Sequence, residues 1–303
     1  MTAIDVRHGF VSCVILTEIE RMRPTSPSPL PAAVAHFEAL FGPVDSWQRL
    51  APESEQAVLW LGVRRGTPLG VIKRYQSAAG AGREHFAYTE WATQISAWTA
   101  PFYGRVEADP RALTLGYVTG ETATFDATPA VFENIGRFAR ALHQLPYVDE
   151  DPLPLQQAVG RRLAALEDTE PGVARVVEVV ERLIERAHFG GRVPCHRDLA
   201  PWNWRVDGED VRVLDFGQSR ADTWLMDVVK LAPQWSSVQE EAFFSGYGRH
   251  LSESESWALI ALVGLHGLGG VQWGRRHDQQ RPVMEGEAAL RWFWEALRRH
   301  PLG

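Results

Sequence analysis

In the stretch Val193 to Asp227, His196-Arg197-Asp198-Leu199 is followed by Asn203, and Asp215-Phe216-Gly217 follows the strand-like run Val211 to Leu214. Between these acidic segments lies Asp207-Gly208-Glu209-Asp210, a turn sequence joining two short strands. A hairpin there returns the residues before its first strand and after its second to the same end, so Asp198, Asn203 and Asp215 meet although they are distant in sequence. The pattern H-R-D-L-x-x-x-N followed by D-F-G is two coordinated motifs in order, and a chance match has to account for both.

The rest of the chain is organised around that stretch. Its 303 residues suffice for about two domains or two lobes around one cleft. Residues 24 to 31 read PTSPSPLP, an extended segment, so residues 1–31 are expected to be an N-terminal tail. From Ala32, Val34, Phe37, Leu40 and Phe41 fall at helical spacing, with Gly42-Pro43 as the stop. Three strand-like runs follow, Trp47 to Leu50, Ala57 to Val63 and Leu69 to Tyr75, the last two joined by an Arg65-Gly66-Thr67-Pro68 turn. Arg83 to Ala97 reads as a helix and Leu113 to Val118 as a further strand. From Ala130 onward helical periodicity dominates outside residues 193 to 216. The expected fold is α+β: a small antiparallel sheet in an N-lobe at 32–115 and a larger, mostly helical C-lobe at 116–303.

Composition narrows the function classes. Acidic residues outnumber basic ones, 38 to 31, for a net charge of -7, which is not the balance of a nucleic-acid binder. The longest apolar stretch, Trp257 to Val271, is interrupted by His266 and four glycines and is shorter than the ~20 residues that cross a bilayer, so it reads as a buried helix. Two cysteines, Cys13 and Cys195, are too few for a disulfide framework and point to the cytoplasm.

Phosphoryl transfer asks for a carboxylate at the attacking hydroxyl, an amide oxygen and a second carboxylate on magnesium, and a cation on the nucleotide phosphates. Asp198, Asn203 and Asp215 suit the first three roles in turn. The run LGVIKRY carries Lys73 out of the small sheet, on the face of Val71 and opposite Ile72 and Arg74. Glu84 and Glu90 of the next helix are both placed to orient that lysine; Glu90 is preferred, with Phe86, Ala87 and Ile95 burying the helix. Leu113 to Gly120 presents backbone to an adenine edge, with the Gly116 carbonyl and the Val118 amide as contacts.

On these motifs the chain resembles the aminoglycoside phosphotransferase family, a branch of the protein-kinase-like fold, over roughly residues 45 to 300. The resemblance implies a bilobal fold and an ATP- or GTP-dependent, magnesium-dependent transferase acting on a hydroxyl of a small molecule: an antibiotic, a sugar or a nucleoside-like compound. By it, Lys73 is the phosphate lysine, Glu90 its helix partner, Asp198 the catalytic base, and Asn203 and Asp215 the metal ligands. Asp227, twelve residues after Asp215, matches the aspartate that braces the catalytic loop. The chain departs from the family at Arg197, where glycine is usual and protein kinases have arginine. It departs again in Ala51 to Gln56, which has no glycine and leaves Ser54 to Gln56 to cradle phosphates. The short interval from Asp215 to Asp227, with no A-P-E signature, favours the small-molecule branch. A serine or threonine of a peptide, in ribosomal-peptide tailoring, is the runner-up acceptor. A silent nucleotide-binding pseudokinase is the rival from another class, and intact Lys73, Asp198, Asn203 and Asp215 argue against it.

Other residues have plainer readings. His196 holds the loop by hydrogen bonds and does not carry protons, and Cys195 is buried and inert. Of twelve tryptophans, Trp202 and Trp224 are candidates to touch substrate, whereas Trp257, Trp273, Trp292 and Trp294 sit at helix-packing spacing. Asp149 to Asp151, Glu240 and Glu241 could attract a cationic acceptor but read by preference as solvated faces, and the basic cluster Arg275, Arg276 and Arg281 either holds an anionic acceptor or faces solvent.

Overall fold

The computed structural model describes residues 29–50, 57–147, 153–166 and 171–300. Nearly all of the expected tail, the Ala51 to Gln56 cradle and Asp149 to Asp151 lie outside the described residues. Two compact units emerge, the first comprising the described residues through Ala81 with Phe102–Tyr117.

In the first unit, α1 (Pro31–Phe41) starts with proline in its first turn and stops at Gly42, whose φ of 79° suits glycine. An antiparallel sheet follows, built from β1 (Ser46–Leu50), β2 (Ala57–Arg64), β3 (Thr67–Tyr75), β4 (Phe102–Arg105) and β5 (Ala112–Gly116) in the order β1-β2-β3-β5-β4. Phe37 is fully buried, and its ring lies over β2 and β3 where they carry glycine. A Cβ on Gly62 would come within 2.8 Å of that ring, so the helix seats on the sheet only because the strand has no side chain there. Ile72, on the opposite face from Lys73, is buried in the same cluster as Phe37, Ala33 and Trp60. Lys73 itself is 4% exposed, with Leu113 and Leu59 as its cross-strand partners. Strand β4 is missing from the sequence reading: four residues including Gly104 are too few to show alternation.

The expected helix over Arg83 to Ala97 is two elements, α2 (Ala78–Glu90) and a 3-10 segment at Ala92–Trp98. Threonine hydroxyls turn back on carbonyls where α2 ends, Thr89 to His85 and Phe86 and Thr93 to Thr89, which weakens continuation of the helix. Phe86, expected to bury the helix, is 49% exposed, whereas Ala87 and Ile95 are buried.

The second unit takes residues 82–101 and those from Val118 onward, so a single cut near residue 116 does not describe the 82–101 segment. Its helices are α3 (Pro129–His143), α4 (Leu155–Ala164), α5 (Pro171–Arg186), α6 (Ser237–Tyr247), α7 (Glu253–Arg276) and α8 (Gln280–Arg299). Capping boxes set the starts of α6 and α7: Ser236 with Gln239, and Ser252 with Glu255. Helices α3 and α6 meet at Gly136 and Gly246, where a Cβ on Gly246 would lie 1.9 Å from the Glu133 carbonyl oxygen. The Trp257 to Val271 run falls within α7, mostly buried. Among the described residues no helix is long and apolar enough to cross a membrane. Small strands complete the unit: β6 (Glu121–Thr122) pairs β8 (Trp204–Asp207), β8 pairs β9 (Asp210–Val213), and β7 (Arg192–Cys195) pairs β10 (Arg220–Thr223), all antiparallel.

Candidate active site

Strand β7 delivers the chain into the loop that carries Asp198, and Asp227 holds that loop from below. Asp227 is 1% exposed; its Oδ2 accepts from the His196 amide at 3.0 Å and from His143 Nε2 at 3.0 Å, and its Oδ1 accepts from the Arg197 amide. Burial pushes this carboxyl up, but the His143 hydrogen bond and the neighbouring imidazoles outweigh it and leave the pKa below the ordinary carboxylate value. Tyr247 Oη completes the chain with a 3.0 Å contact to His143 Nδ1. His196 is fully buried, with Nε2 3.0 Å from the Leu214 carbonyl and Nδ1 accepting from the Asp198 amide at 3.3 Å. The tautomer protonated at Nε2 satisfies both contacts, and no ring nitrogen is left to move a proton.

The β8–β9 hairpin turns at Gly208, with φ of 64°, and the Leu214 amide donates to the Asn203 carbonyl at 2.8 Å. The ends of the hairpin are thereby tied together, with Asn203 at one and Asp215 at the other. Asn203 is 8% exposed and donates Nδ2 to the Asp198 carbonyl at 2.8 Å, while among the described residues no donor reaches its Oδ1. Asp215 has φ of 65°, a left-handed conformation uncommon outside glycine, and accepts from the Gly217 amide at 3.2 Å. A nearly buried amide oxygen left to accept and an acceptor-only carboxylate beside it are the hard oxygen donors that magnesium prefers.

Glu84 is fully buried and accepts from the Phe216 amide at 3.0 Å. The preference for Glu90 therefore needs correction: Glu90 is exposed, and its carbonyl accepts from Gln94 at the frayed end of α2. Phe216 is fully buried against Tyr88, His196 and Phe138, with ring centroids 5.2, 4.8 and 6.4 Å away.

Lys230 Nζ is bound to Asp198 Oδ1 and stands 5.3 Å from the Trp202 ring centroid. Arg281 stands 4.5 Å from the same ring, and Phe125 meets its edge at 6.3 Å. His266 of α7 also feels this group: burial, then Lys230, pushes its pKa down to about 4, so it is neutral at neutral pH. Neither Lys230 nor His266 was picked out from the sequence; the available signal was a lone cation in the apolar run Val228 to Ala232. Arg281, read as part of a solvated cluster, is 65% exposed and also lies over the Trp202 ring.

Trp224 is not placed to touch a substrate. It is 5% exposed, its Nε1 donates to Glu255 at 3.2 Å, and its ring is stacked on Tyr247 at 4.8 Å with Arg249 4.5 Å away. Cys195 is fully buried, its thiol directed at the carbonyls of Val193, Asp222 and Thr223, and burial raises its pKa well above the ordinary value. In the first unit, Gly116 lies opposite Gly70 at the end of β5, and Val118 begins the longer segment of the second unit.

The model of the phosphotransferase enzyme family (APH) matches residues 76–263. No curated protein sequence matches. Among solved structures, the chain is similar to the aminoglycoside phosphotransferase APH(2″)-IIia in complex with GDP and kanamycin, at 14% identity over 88% of this chain and 98% of that one, with a TM-score of 0.65. It is similar to the choline kinase LicA of Streptococcus pneumoniae at 17% identity, over 86% and 97%, with a TM-score of 0.64. It is also similar to a thermostable mutant of the aminoglycoside phosphotransferase APH(4)-Ia at 15% identity, over 89% and 100%, with a TM-score of 0.66. At such identities the likeness establishes a shared kinase-like fold.

Proposed function

The chain belongs to the phosphotransferase enzyme family and is a phosphotransferase acting on a hydroxyl, and from that premise we propose that it moves the γ-phosphoryl group of ATP or GTP, with magnesium, to a hydroxyl of a small molecule in the cytoplasm. The observation that carries this reading is the hairpin tie between Asn203 and Leu214, which gathers Asp198, Asn203 and Asp215 at one end. Asp198 orients the acceptor hydroxyl and takes its proton; Lys230 occupies one carboxylate oxygen and leaves the other for the acceptor. Asn203 Oδ1 and the Asp215 carboxylate would hold magnesium, which when bound screens the charge of the phosphates. Lys73 neutralises the same phosphates, and Glu84 takes the helix-partner role in place of Glu90. Gly116 and Val118 offer main-chain groups to the base, and Trp202 offers a flat face to the acceptor. Little covalent work falls to the protein, so positioning and charge neutralisation supply the rate.

Choline kinase and aminoglycoside phosphotransferases among the similar structures support a small acceptor. The test is transfer from γ-labelled ATP and GTP, with magnesium, to aminoglycosides, choline and size-fractionated cell extract, using wild type and Asp198→Asn. Label in the small-molecule fraction from wild type only, with nucleotide binding kept in the variant, is expected. Transfer surviving in Asp198→Asn overturns the base assignment, and label confined to peptides replaces the acceptor class.

A further inference from the structure

Beside the loop that carries Asp198, three guanidinium groups converge on one carboxylate. Asp222 of β10 is fully buried, and its Oδ2 lies 2.8 Å from Arg162 Nη2, 3.2 Å from Arg197 Nε and 3.8 Å from Arg220 Nε. Its Oδ1 accepts from the Thr223 amide. Arg83, which donates to the Gly217 carbonyl at 3.0 Å, sets a further positive charge toward Arg220. Among the described residues no second carboxylate pairs with Arg162, Arg197 or Arg220, so the three leave a surplus of two positive charges.

The donors are as unbalanced as the charges. The Arg197 side chain is 16% exposed, yet among the described residues it makes no hydrogen bond, and its Nε is buried without one. The Arg220 side chain likewise makes none and is 51% exposed. Burial, then the repulsion of Arg220, lowers Arg197 to about 10, so it remains charged at neutral pH. Gathered like charges repel, and buried guanidinium donors without acceptors are costly; a multi-oxygen anion relieves both, in the geometry to which arginine is suited.

We propose that Arg162, Arg197 and Arg220 form a binding site for a phosphate dianion, either orthophosphate or the terminal phosphate of a monoester, with the half-exposed Arg220 at its mouth. The Arg197 amide is bound to Asp227 and Asp198 comes next in the chain, so an anion on the Arg197 side chain steadies the loop carrying Asp198. The site does not depend on the proposed reaction.

Isothermal titration of the full chain in excess magnesium-ADP, at ionic strength held constant with chloride, tests it with orthophosphate and with glycerol 3-phosphate. Wild type and Lys73→Met should bind one anion saturably, and Arg220→Gln and Arg162→Gln should bind it about tenfold more weakly or worse, the loss of one charge-assisted hydrogen bond. Tighter orthophosphate identifies the free anion as occupant, and tighter glycerol 3-phosphate the esterified group. Arg220 is exposed enough that its variant keeps the fold, so it decides alone if Arg162→Gln does not fold. No saturable binding in wild type, undiminished binding in Arg220→Gln, or loss only in Lys73→Met overturns the proposal.

Discussion

Replacing Asp227 by asparagine changes one oxygen to an NH2 group in a site where every neighbour is a donor. The two carboxylate oxygens accept from the amides of His196 and Arg197 and from His143 Nε2. If asparagine keeps its oxygen toward His196, its Nδ2 faces the Arg197 amide; in the flipped orientation it faces the His196 amide. A histidine can reverse its tautomer, with Tyr247 Oη then accepting, but a main-chain N–H cannot, so one buried amide loses its acceptor either way. A hydrogen bond to a charged group contributes about 1.5–3 kcal/mol, and an orphaned buried donor costs a similar amount, so Asp227→Asn should destabilise the second unit by about 3 kcal/mol. The folded pKa lies below the unfolded value of about 3.9, so the carboxylate's contribution is complete above that value and is lost only as pH falls through the folded pKa. The penalty in urea unfolding should therefore be constant from pH 8 to pH 5 and shrink in stronger acid. A penalty under about 1 kcal/mol at pH 7, or one that grows on acidification, would refute the account of Asp227 as the ionised brace.

Gly246→Ala should lower stability by about 3 kcal/mol or more, because its Cβ would lie 1.9 Å from the Glu133 carbonyl and α3 and α6 would have to part; a melting temperature within a degree or two of wild type would rule out that close packing. Glu84→Gln should weaken magnesium-nucleotide binding about tenfold while Glu90→Gln leaves it unchanged, measured by calorimetry, since only Glu84 is buried at Phe216; the reverse result returns the role to Glu90. Lys230→Met should reduce phosphoryl transfer about ten- to a hundredfold with Lys230→Arg recovering part of it, and equal activity in all three proteins dismisses the contact with Asp198.

Much of the candidate site is legible in the sequence because its groups lie close together in one stretch. Asp198, Asn203, Asp215 and Asp227 fall within a loop, a hairpin and a turn, and hairpin chemistry at Asp207-Gly208 is local enough for the sequence to announce it. His196 and Cys195 each have one partner two residues away, the Asp198 amide and the Val193 carbonyl, whereas their contacts with the Leu214 and Asp222 carbonyls come from chain that only folding brings near. The sheet of the first unit was legible wherever strands were long; β4 was too short to carry a period.

What local spacing could not supply was the phase of a helix and the identity of a distant neighbour. Glu84 and Glu90 are six residues apart, about 120° around α2, and only the packing of that helix decides which carboxylate turns inward. Trp224 and Trp202 look alike beside their motifs, yet Tyr247 of α6, Arg249 after it and Glu255 of α7 enclose the first, while the second stays partly open. Lys230 on Asp198, and Arg162 on Asp222, join elements separated by tens of residues. The sequence by itself determined the kind of chemistry, through the residue types held in one contiguous stretch; the tertiary structure alone decided which remote side chains bring charge to it, because burial and distance arise only when separate elements pack.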